Sequence, residues 1–138
     1  MVRLSKEEAR ALGLAPKASK YNNDKPTYYD PELKETLIFD SKKEFEYYLI
    51  LKDRVKRGEI YDLKRQEPIE IQPAFIDPQG VEYQAIIYKA DFTYKEIAHY
   101  KNICGYVKHY VDVKGYKTEI YKLKKKLLAY RGIFIEEV

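Results

Sequence analysis

The alternation of side-chain types over Tyr106–Lys114 is the feature that most restricts the fold of this 138-residue chain. Successive side chains of a β-strand point to opposite faces of a sheet, so alternation at this spacing predicts a strand. One face is apolar apart from one histidine and carries Val107, His109, Val111 and Val113. The opposite face carries Tyr106, Lys108, Tyr110, Asp112 and Lys114. We expect the valine face to be covered by other parts of the chain, with His109 as a hydrogen-bonded core histidine.

Patterns in the rest of the chain predict one helix before the strands and another after them. The first helix begins near Ser41 and ends at Gly58; the second, Thr118–Tyr130, has one apolar stripe formed by Ile120, Leu123, Leu127 and Tyr130. The other predicted strands are Pro68–Phe75, Val81–Tyr94 and Gly132–Val138, with a turn at Asp77–Gly80 and a partly helical connection over Lys95–Gly105. The order, αβββαβ, predicts an α/β fold with a mixed central sheet flanked by helices.

The two ends of the chain differ in character. Residues 1–36 are predicted to be an N-terminal arm, irregular or partly mobile, apart from a short helix over Lys6–Leu12. The polar stretch Tyr21–Pro26 is rich in turn-forming residues. Residues 37–138 are predicted to form one α/β domain.

Composition excludes several classes of protein. No apolar run approaches the roughly 20 residues that span a bilayer, and the N-terminus lacks the apolar segment of a signal peptide. We therefore expect a cytoplasmic protein without membrane association. Cys104 is the only cysteine, so it forms no intramolecular disulfide, and with only His99 and His109 beside it a zinc cluster is disfavoured.

A carboxylate and an ammonium group end the alternating strand. Asp112 and Lys114 point to the same face, about 7 Å apart along the strand from a rise of about 3.3 Å per residue. A carboxylate binds hard divalent cations through oxygen, and an ammonium group can orient water or neutralise charge at a phosphate. The pair therefore favours a site for a cation and a phosphate.

Two further carboxylates are candidates for the same site. Asp91 ends an otherwise apolar strand, where an unpaired carboxylate would be costly to bury. Glu44 lies one turn into the first helix. Ser41 and Glu44 also match the S-x-x-E capping box, which explains Glu44 without a metal, so both interpretations remain open.

The motifs together resemble a known superfamily. An Asp, followed about twenty residues later by D-V-K at the end of a strand, resembles the PD-(D/E)XK nucleases, whose restriction-endonuclease-like core has the order αβββαβ. Over roughly residues 20–138, the segments KYNN, FDSKKEFEYY, ADFTY, VDVKGYKT and YKLKKKL resemble a small family of uncharacterised phage-encoded proteins with Holliday-junction-resolvase-like endonuclease features. Ala90 stands where the superfamily name has Pro.

The resemblance implies a function and roles for particular residues. It implies an endonuclease that hydrolyses DNA, including branched DNA such as Holliday junctions, in the host cytoplasm and as a homodimer. Asp91 and Asp112 would bind Mg²⁺ or Mn²⁺ and Lys114 would assist the attacking water. The acid of the first helix would be Glu44, with Glu46 as the alternative.

Charge along the chain is compatible with nucleic-acid binding. The acid-rich stretch Glu67–Tyr94 lies between basic flanks, which can bind phosphates. Candidate DNA contacts are Lys117, Tyr121, Lys122 and Lys125, on or just before the second helix. The lysines can equally form a solvated face and Tyr121 can pack in the core. The alternative function is a non-catalytic nucleic-acid-binding module on a nuclease-like fold.

Overall fold

The computed structural model describes residues 25–138 and divides the chain into two units, Met1–Ile38 and Phe39–Val138. The predicted helix over Lys6–Leu12 and most of the predicted turn at Tyr21–Pro26 lie outside the described residues. None of the helices in the described residues is long and apolar enough to cross a membrane.

The described part of the first unit is a β-hairpin. Strands β1 (Thr27–Asp30) and β2 (Glu35–Ile38) pair antiparallel, although the sequence placed residues 27–36 in an irregular arm. Aromatic and β-branched residues favour the strands. The side chain of Asp30 closes the turn, because its Oδ1 accepts hydrogen bonds from the backbone N–H groups of Glu32 and Leu33, at 2.9 and 3.2 Å.

The second unit contains the main sheet and both helices. Its elements are α1 (Lys42–Lys56), β3 (Tyr61–Gln72), β4 (Phe75–Ile76), β5 (Glu82–Tyr83), β6 (Ile86–Tyr100), β7 (Ile103–Asp112), α2 (Glu119–Tyr130) and β8 (Ile135–Glu137). The sheet order is β3-β6-β7-β8, antiparallel except for the parallel pair β7 and β8. The short strands β4 and β5 pair around the predicted Asp77–Gly80 turn. The α/β class, the mixed sheet and the order αβββαβ of the main elements are confirmed.

Both helices begin after a residue whose side chain caps the first turn. The Oγ of Ser41 accepts a hydrogen bond from the N–H of Glu44 at 3.1 Å, and the Oγ1 of Thr118 accepts one from the N–H of Tyr121 at 3.1 Å. Such caps satisfy backbone donors that the first helical turn leaves free. Gly58 adopts a φ of 73° just after α1, a conformation that favours glycine.

Side chains of β6 contact different helices before and after Asp91. Tyr88 and Ala90 belong to a buried cluster with Tyr121 and Leu128 of α2. Phe92 instead lies against α1, with its ring centroid 6.1 Å from that of Tyr48. Asp91 therefore lies on β6 between the residues that pack against α2 and the residue that packs against α1.

Three predictions about these elements are wrong. The segment Lys95–Gly105 is strand, because β6 and β7 continue to a hairpin with Lys101 and Asn102 at its tip. Val107 is 49% exposed, so only the second half of β7 is covered. The apolar stripe of the second helix is exposed at all four positions, and α2 instead buries Tyr121 and Leu128.

Candidate active site

Asp91 and Asp112 lie side by side on the two central strands. Phe92 pairs with Val111 in the antiparallel ladder, which places Asp91 opposite Asp112. The N–H of Asp91 donates to Oδ1 of Asp112 at 3.0 Å, and the N–H of Val113 donates to Oδ2 of Asp91 at 2.8 Å. The backbone of β6 thus orients the Asp112 carboxylate, and the backbone of the residue just after β7 orients the Asp91 carboxylate.

Lys114 follows β7 and approaches the same carboxylate. Its Nζ lies 3.6 Å from Oδ2 of Asp112, beyond hydrogen-bonding distance, and 4.5 Å from the centroid of the Tyr121 ring. Asp112 is fully buried, and its Oδ2 has no hydrogen-bond partner among residues 25–138. The predicted pairing of Asp112 with Lys114 is therefore present, with one carboxylate oxygen left for another ligand.

Burial weakens the acidity of both aspartates. It raises the pKa of Asp91, against the opposing effects of the Val113 N–H and the Lys114 ammonium. Burial also raises the pKa of Asp112, against the Asp91 N–H and Lys114. A carboxylate that is costly to ionise in the free protein is stabilised by any cation that binds beside it.

Glu44 serves the helix start, and its carboxylate also lies close enough to Asp91 for the two charges to interact. Its Oε2 accepts a hydrogen bond from the N–H of Asp40 at 3.2 Å, while Oε1 lies 3.9 Å from Arg65 and accepts no hydrogen bond within the described chain. Burial, and then the negative charge of Asp91, raise the pKa of Glu44 to about 7. Capping therefore uses only one of the two oxygens, and the other remains available at the site.

The alternative acid, Glu46, is not brought to this site. Its side chain is 60% exposed and lies 3.8 Å from Lys42 in an ion pair along the surface of α1. Glu44 is 3% exposed by contrast. The structure thus separates the two acids that the sequence left as alternatives.

Gln66 is a neighbour of the site that the sequence did not single out. Its Nε2 lies 3.4 Å from Oδ1 of Asp91, across β3 and β6. Its φ of 53° falls in the left-handed region, which is uncommon for a residue other than glycine and carries backbone strain. No local pattern marks this residue, because the interaction depends on the pairing of strands distant in sequence.

The four predicted DNA contacts have different surroundings: the three lysines form ion pairs, and Tyr121 is buried. Lys117 and Lys125 both form ion pairs with Glu137, and together they lower the pKa of that carboxyl to about 2. Lys122 forms an exposed pair with Glu119 at 3.1 Å. Tyr121 is buried in the α2 cluster, and burial raises the pKa of its hydroxyl. The ring of Tyr121 nevertheless borders the site through Lys114.

Histidine and cysteine lie away from the aspartates. His109 stacks on Tyr94, with ring centroids 4.8 Å apart, and its two ring nitrogens lie 2.5 Å from Glu136 and 3.0 Å from Glu96. The predicted hydrogen bonding of His109 is present, although the side chain is 20% exposed. Cys104 is an exposed free thiol. In residues 25–138 no three or more His, Cys, Asp or Glu side chains are placed together so that they could hold a metal ion.

These observations define an α/β domain that has a buried aspartate, a half-buried aspartate and a lysine together at the centre of its sheet. Residues 18–137 match the family model described as "Protein of unknown function (DUF1064)", so the chain belongs to that family. No curated protein and no solved structure matches the chain significantly.

Proposed function

We propose that this protein is a metal-dependent nuclease that hydrolyses phosphodiester bonds in DNA. The observation that carries the proposal is the meeting of Asp91 and Asp112, joined by a 3.0 Å backbone hydrogen bond, with Lys114 at 3.6 Å from the free oxygen of Asp112. Paired acids and a lysine at this spacing resemble the centre of the PD-(D/E)XK nucleases. The order αβββαβ is compatible with the same restriction-endonuclease-like core.

The donor atoms suit a hard cation such as Mg²⁺ or Mn²⁺. Oδ2 of Asp112 and Oε1 of Glu44 are buried oxygens that accept no hydrogen bond from residues 25–138, and the pKa of each carboxyl is raised. Asp91, Asp112 and Glu44 would hold the ion. Magnesium sites commonly use one or two carboxylates and complete their shell with water and substrate phosphate, so a full protein cage is not required. The bound ion would supply an activated water and positive charge at the scissile phosphate.

Lys114 would act on the substrate phosphate. Its ammonium group is held between the Asp112 carboxylate and the face of the Tyr121 ring, which fixes the charge beside the site without a tight ion pair. An ammonium group so placed can stabilise negative charge that develops on a phosphate oxygen. Gln66 would hold the Asp91 carboxylate in position, because its Nε2 donates to Oδ1 of that carboxylate.

The kind of DNA follows from resemblance and charge. The net charge of +4 and the lysines of and around α2 favour a polyanionic substrate. The resemblance to phage-encoded proteins extends the proposal to branched DNA, including Holliday junctions, and to a homodimer acting in the host cytoplasm. Lys117, Lys122 and Lys125 are the proposed phosphate contacts, with Tyr121 at the border of the site.

Cleavage of labelled linear, nicked and four-way-junction DNA tests the proposal. The assay compares Mg²⁺, Mn²⁺ and EDTA for the wild type, Asp112→Asn and the control Asp53→Asn, an exposed carboxylate of α1 that pairs with Arg57 at 3.1 Å. We expect metal-dependent cutting that Asp112→Asn abolishes and Asp53→Asn retains. Absence of cutting by the wild type, together with salt-sensitive binding of the same DNA, would replace the proposal with the non-catalytic binding module.

A further inference from the structure

The outer halves of β6 and β7 form a two-stranded ribbon that extends beyond the rest of the sheet. Pairing of β3 with β6 ends at Lys95, and pairing of β8 with β7 begins at Tyr110. Within the described residues, the ribbon, defined as residues 96–107, therefore has no strand on either edge. Five residue pairs, from Glu96 with Val107 to Tyr100 with Ile103, hold it together. An isolated two-stranded ribbon is only marginally stable in water. The side chains of this ribbon are exposed or half-buried, so packing of the core does not account for its presence.

One face of this region presents aromatic, aliphatic and basic side chains together. The ladder pairs Lys95 with Lys108 and Ile97 with Tyr106, and we call these four residues the tyrosine–lysine face. Tyr106 is 58% exposed and Ile97 52% exposed. The Nζ of Lys95 lies 4.8 Å from the centroid of the Tyr106 ring. A flat ring beside an ammonium group is the combination on which nucleic-acid bases stack.

The tyrosine–lysine face is continuous with the candidate active site. Tyr106, Lys108 and Asp112 are separated by even numbers of residues on β7, so their side chains point to the same side of the sheet. Six residues at about 3.3 Å each place Tyr106 about 20 Å from Asp112 along the strand. A strand of nucleic acid that contacts both would therefore run along β7.

The lysines of this face are held in fixed positions by acids at its border. Lys95 pairs with Asp62 at 3.1 Å, and Lys108 pairs with Glu67 at 2.9 Å. Lys101, at the tip of the ribbon, has its Nζ 5.5 Å from the centroid of the Tyr100 ring. The single acid of the ribbon, Glu96, points to the opposite side and pairs with His109. An anionic ligand thus meets no acid of the ribbon itself on this face, and it would compete with Asp62 and Glu67 for the two lysines.

The residue types distinguish between two modes of DNA recognition. Base edges in the major groove are read mainly by Arg or Lys on guanine and by Asn or Gln on adenine. The tyrosine–lysine face has no Arg, Asn or Gln, and both of its lysines already pair with acids, Asp62 and Glu67. Stacking on an aromatic ring beside lysines suits unpaired bases instead. We propose that the tyrosine–lysine face binds a single-stranded segment of DNA next to the cleavage site. The choice of DNA rests on the proposed nuclease function, whereas the stacking of unpaired bases rests on the ribbon alone.

Binding measured without cleavage tests this proposal separately from the nuclease function. Fluorescence anisotropy of the full chain in EDTA compares labelled oligothymidylate with a blunt duplex of equal length. We expect Tyr106→Ala to weaken binding of the single strand about tenfold and to leave duplex binding unchanged. Tyr106→Phe keeps the ring and should restore the wild-type affinity. A failure of DNA cleavage does not alter these expectations.

Gly105→Val is the matched control on the other face of the ribbon. A Cβ at this position meets no atom within 4 Å and the backbone needs no glycine, so the fold tolerates the change. We expect it to bind the single strand like the wild type. Equal single-strand affinity for Tyr106→Ala and wild type would overturn the proposal. So would sedimentation showing a dimer that Tyr106→Ala dissociates, because the face would then bind a second copy of the chain.

Discussion

The backbone N–H of Asp91 donates to the Asp112 carboxylate across 3.0 Å, so the position of one acid depends on the side chain of the other. Replacement of Asp112 by asparagine keeps an acceptor for this N–H, whereas alanine leaves a buried donor unsatisfied. Asp112→Ala should therefore be less stable than Asp112→Asn by about 1–3 kcal/mol in urea unfolding. Both should lack cleavage activity. Equal stability of the two variants would contradict the structural role of this hydrogen bond.

The raised pKa of Glu44 predicts how stability depends on pH in the metal-free protein. The folded value is about 7 against an ordinary value of 4.5, so the native state binds more protons than the unfolded state between these values. The contribution of Glu44 to the free energy of unfolding is therefore greatest below pH 4.5, and it falls as the pH rises to about 7. The loss from this group is on the order of 1–3 kcal/mol.

Glu44→Gln removes that titration and keeps an oxygen for the Asp40 N–H. Urea unfolding in EDTA should show a shallower decrease of stability between pH 5 and pH 7 for the variant than for the wild type. Added Mg²⁺ should stabilise the wild type more at the upper end of this range, because the ion favours the ionised carboxylate. The same pH profile in variant and wild type would refute the assignment to Glu44.

Gln66→Gly separates backbone strain from positioning of Asp91. Glycine relieves the φ of 53° but removes the amide that reaches Asp91. We expect the free energy of unfolding to change by less than about 1 kcal/mol while the rate of DNA cleavage falls severalfold. Lys34→Gly is the control, because Lys34 has a similar φ of 56° in the β1–β2 turn. It should leave the rate unchanged.

Two leucines of α2 test which side of that helix faces the core. Leu128 is fully buried, and Leu123 is 57% exposed. Leu128→Ala should cost about 2–5 kcal/mol of stability, and Leu123→Ser should change it by no more than about 0.5 kcal/mol. Thermal and urea unfolding measure both. A large loss for Leu123→Ser would mean that the stripe is covered in solution.

Glu137 pairs with two of the lysines that we propose as phosphate contacts. Because its carboxylate pairs with Lys117 and Lys125, Glu137→Gln should free both ammonium groups for phosphate. DNA binding should become tighter and its salt dependence steeper, by about one unit of slope for each additional phosphate that the protein neutralises. An unchanged salt dependence would remove Lys117 and Lys125 from the proposed DNA-binding residues.

Local signals explain what the sequence predicted well. The capping box of Ser41 and Glu44 predicted the start of the first helix, since capping involves residues three positions apart. Alternation along β7 correctly placed Asp112 and Lys114 together, because strand geometry alone determines which side chains share a face. Asp91 was a candidate for the same site because an unpaired carboxylate is costly to bury, but its position opposite Asp112 depends on strand pairing, which no local pattern predicts.

The wrong predictions of secondary structure and burial arise where the sequence pattern fits two structures, or where the structure depends on residues distant in sequence. The segment Lys95–Gly105 is charged, and its hairpin turn, Lys101-Asn102, lacks the Asn-Gly type of signal, so it did not predict strands. The predicted apolar stripe of α2 has helical spacing, but so do Tyr121 and Leu128, which lie seven residues apart and share another face of the helix. Periodicity alone does not tell which of the two faces is buried. No local pattern in the sequence marks the left-handed backbone of Gln66.

The tip of the ribbon and the paired aspartates belong to one continuous ladder, which restricts how this hairpin can change in length. Removing one residue from β6 or β7 alone would shift Asp91 against Asp112 or require a bulge to absorb the difference. Removing one residue from each strand keeps the register and shortens the reach of the ribbon. The hairpin can therefore vary in length and keep the two aspartates together only when both strands change by the same number of residues. Such matched changes would move the tip of the ribbon and leave the aspartates in place.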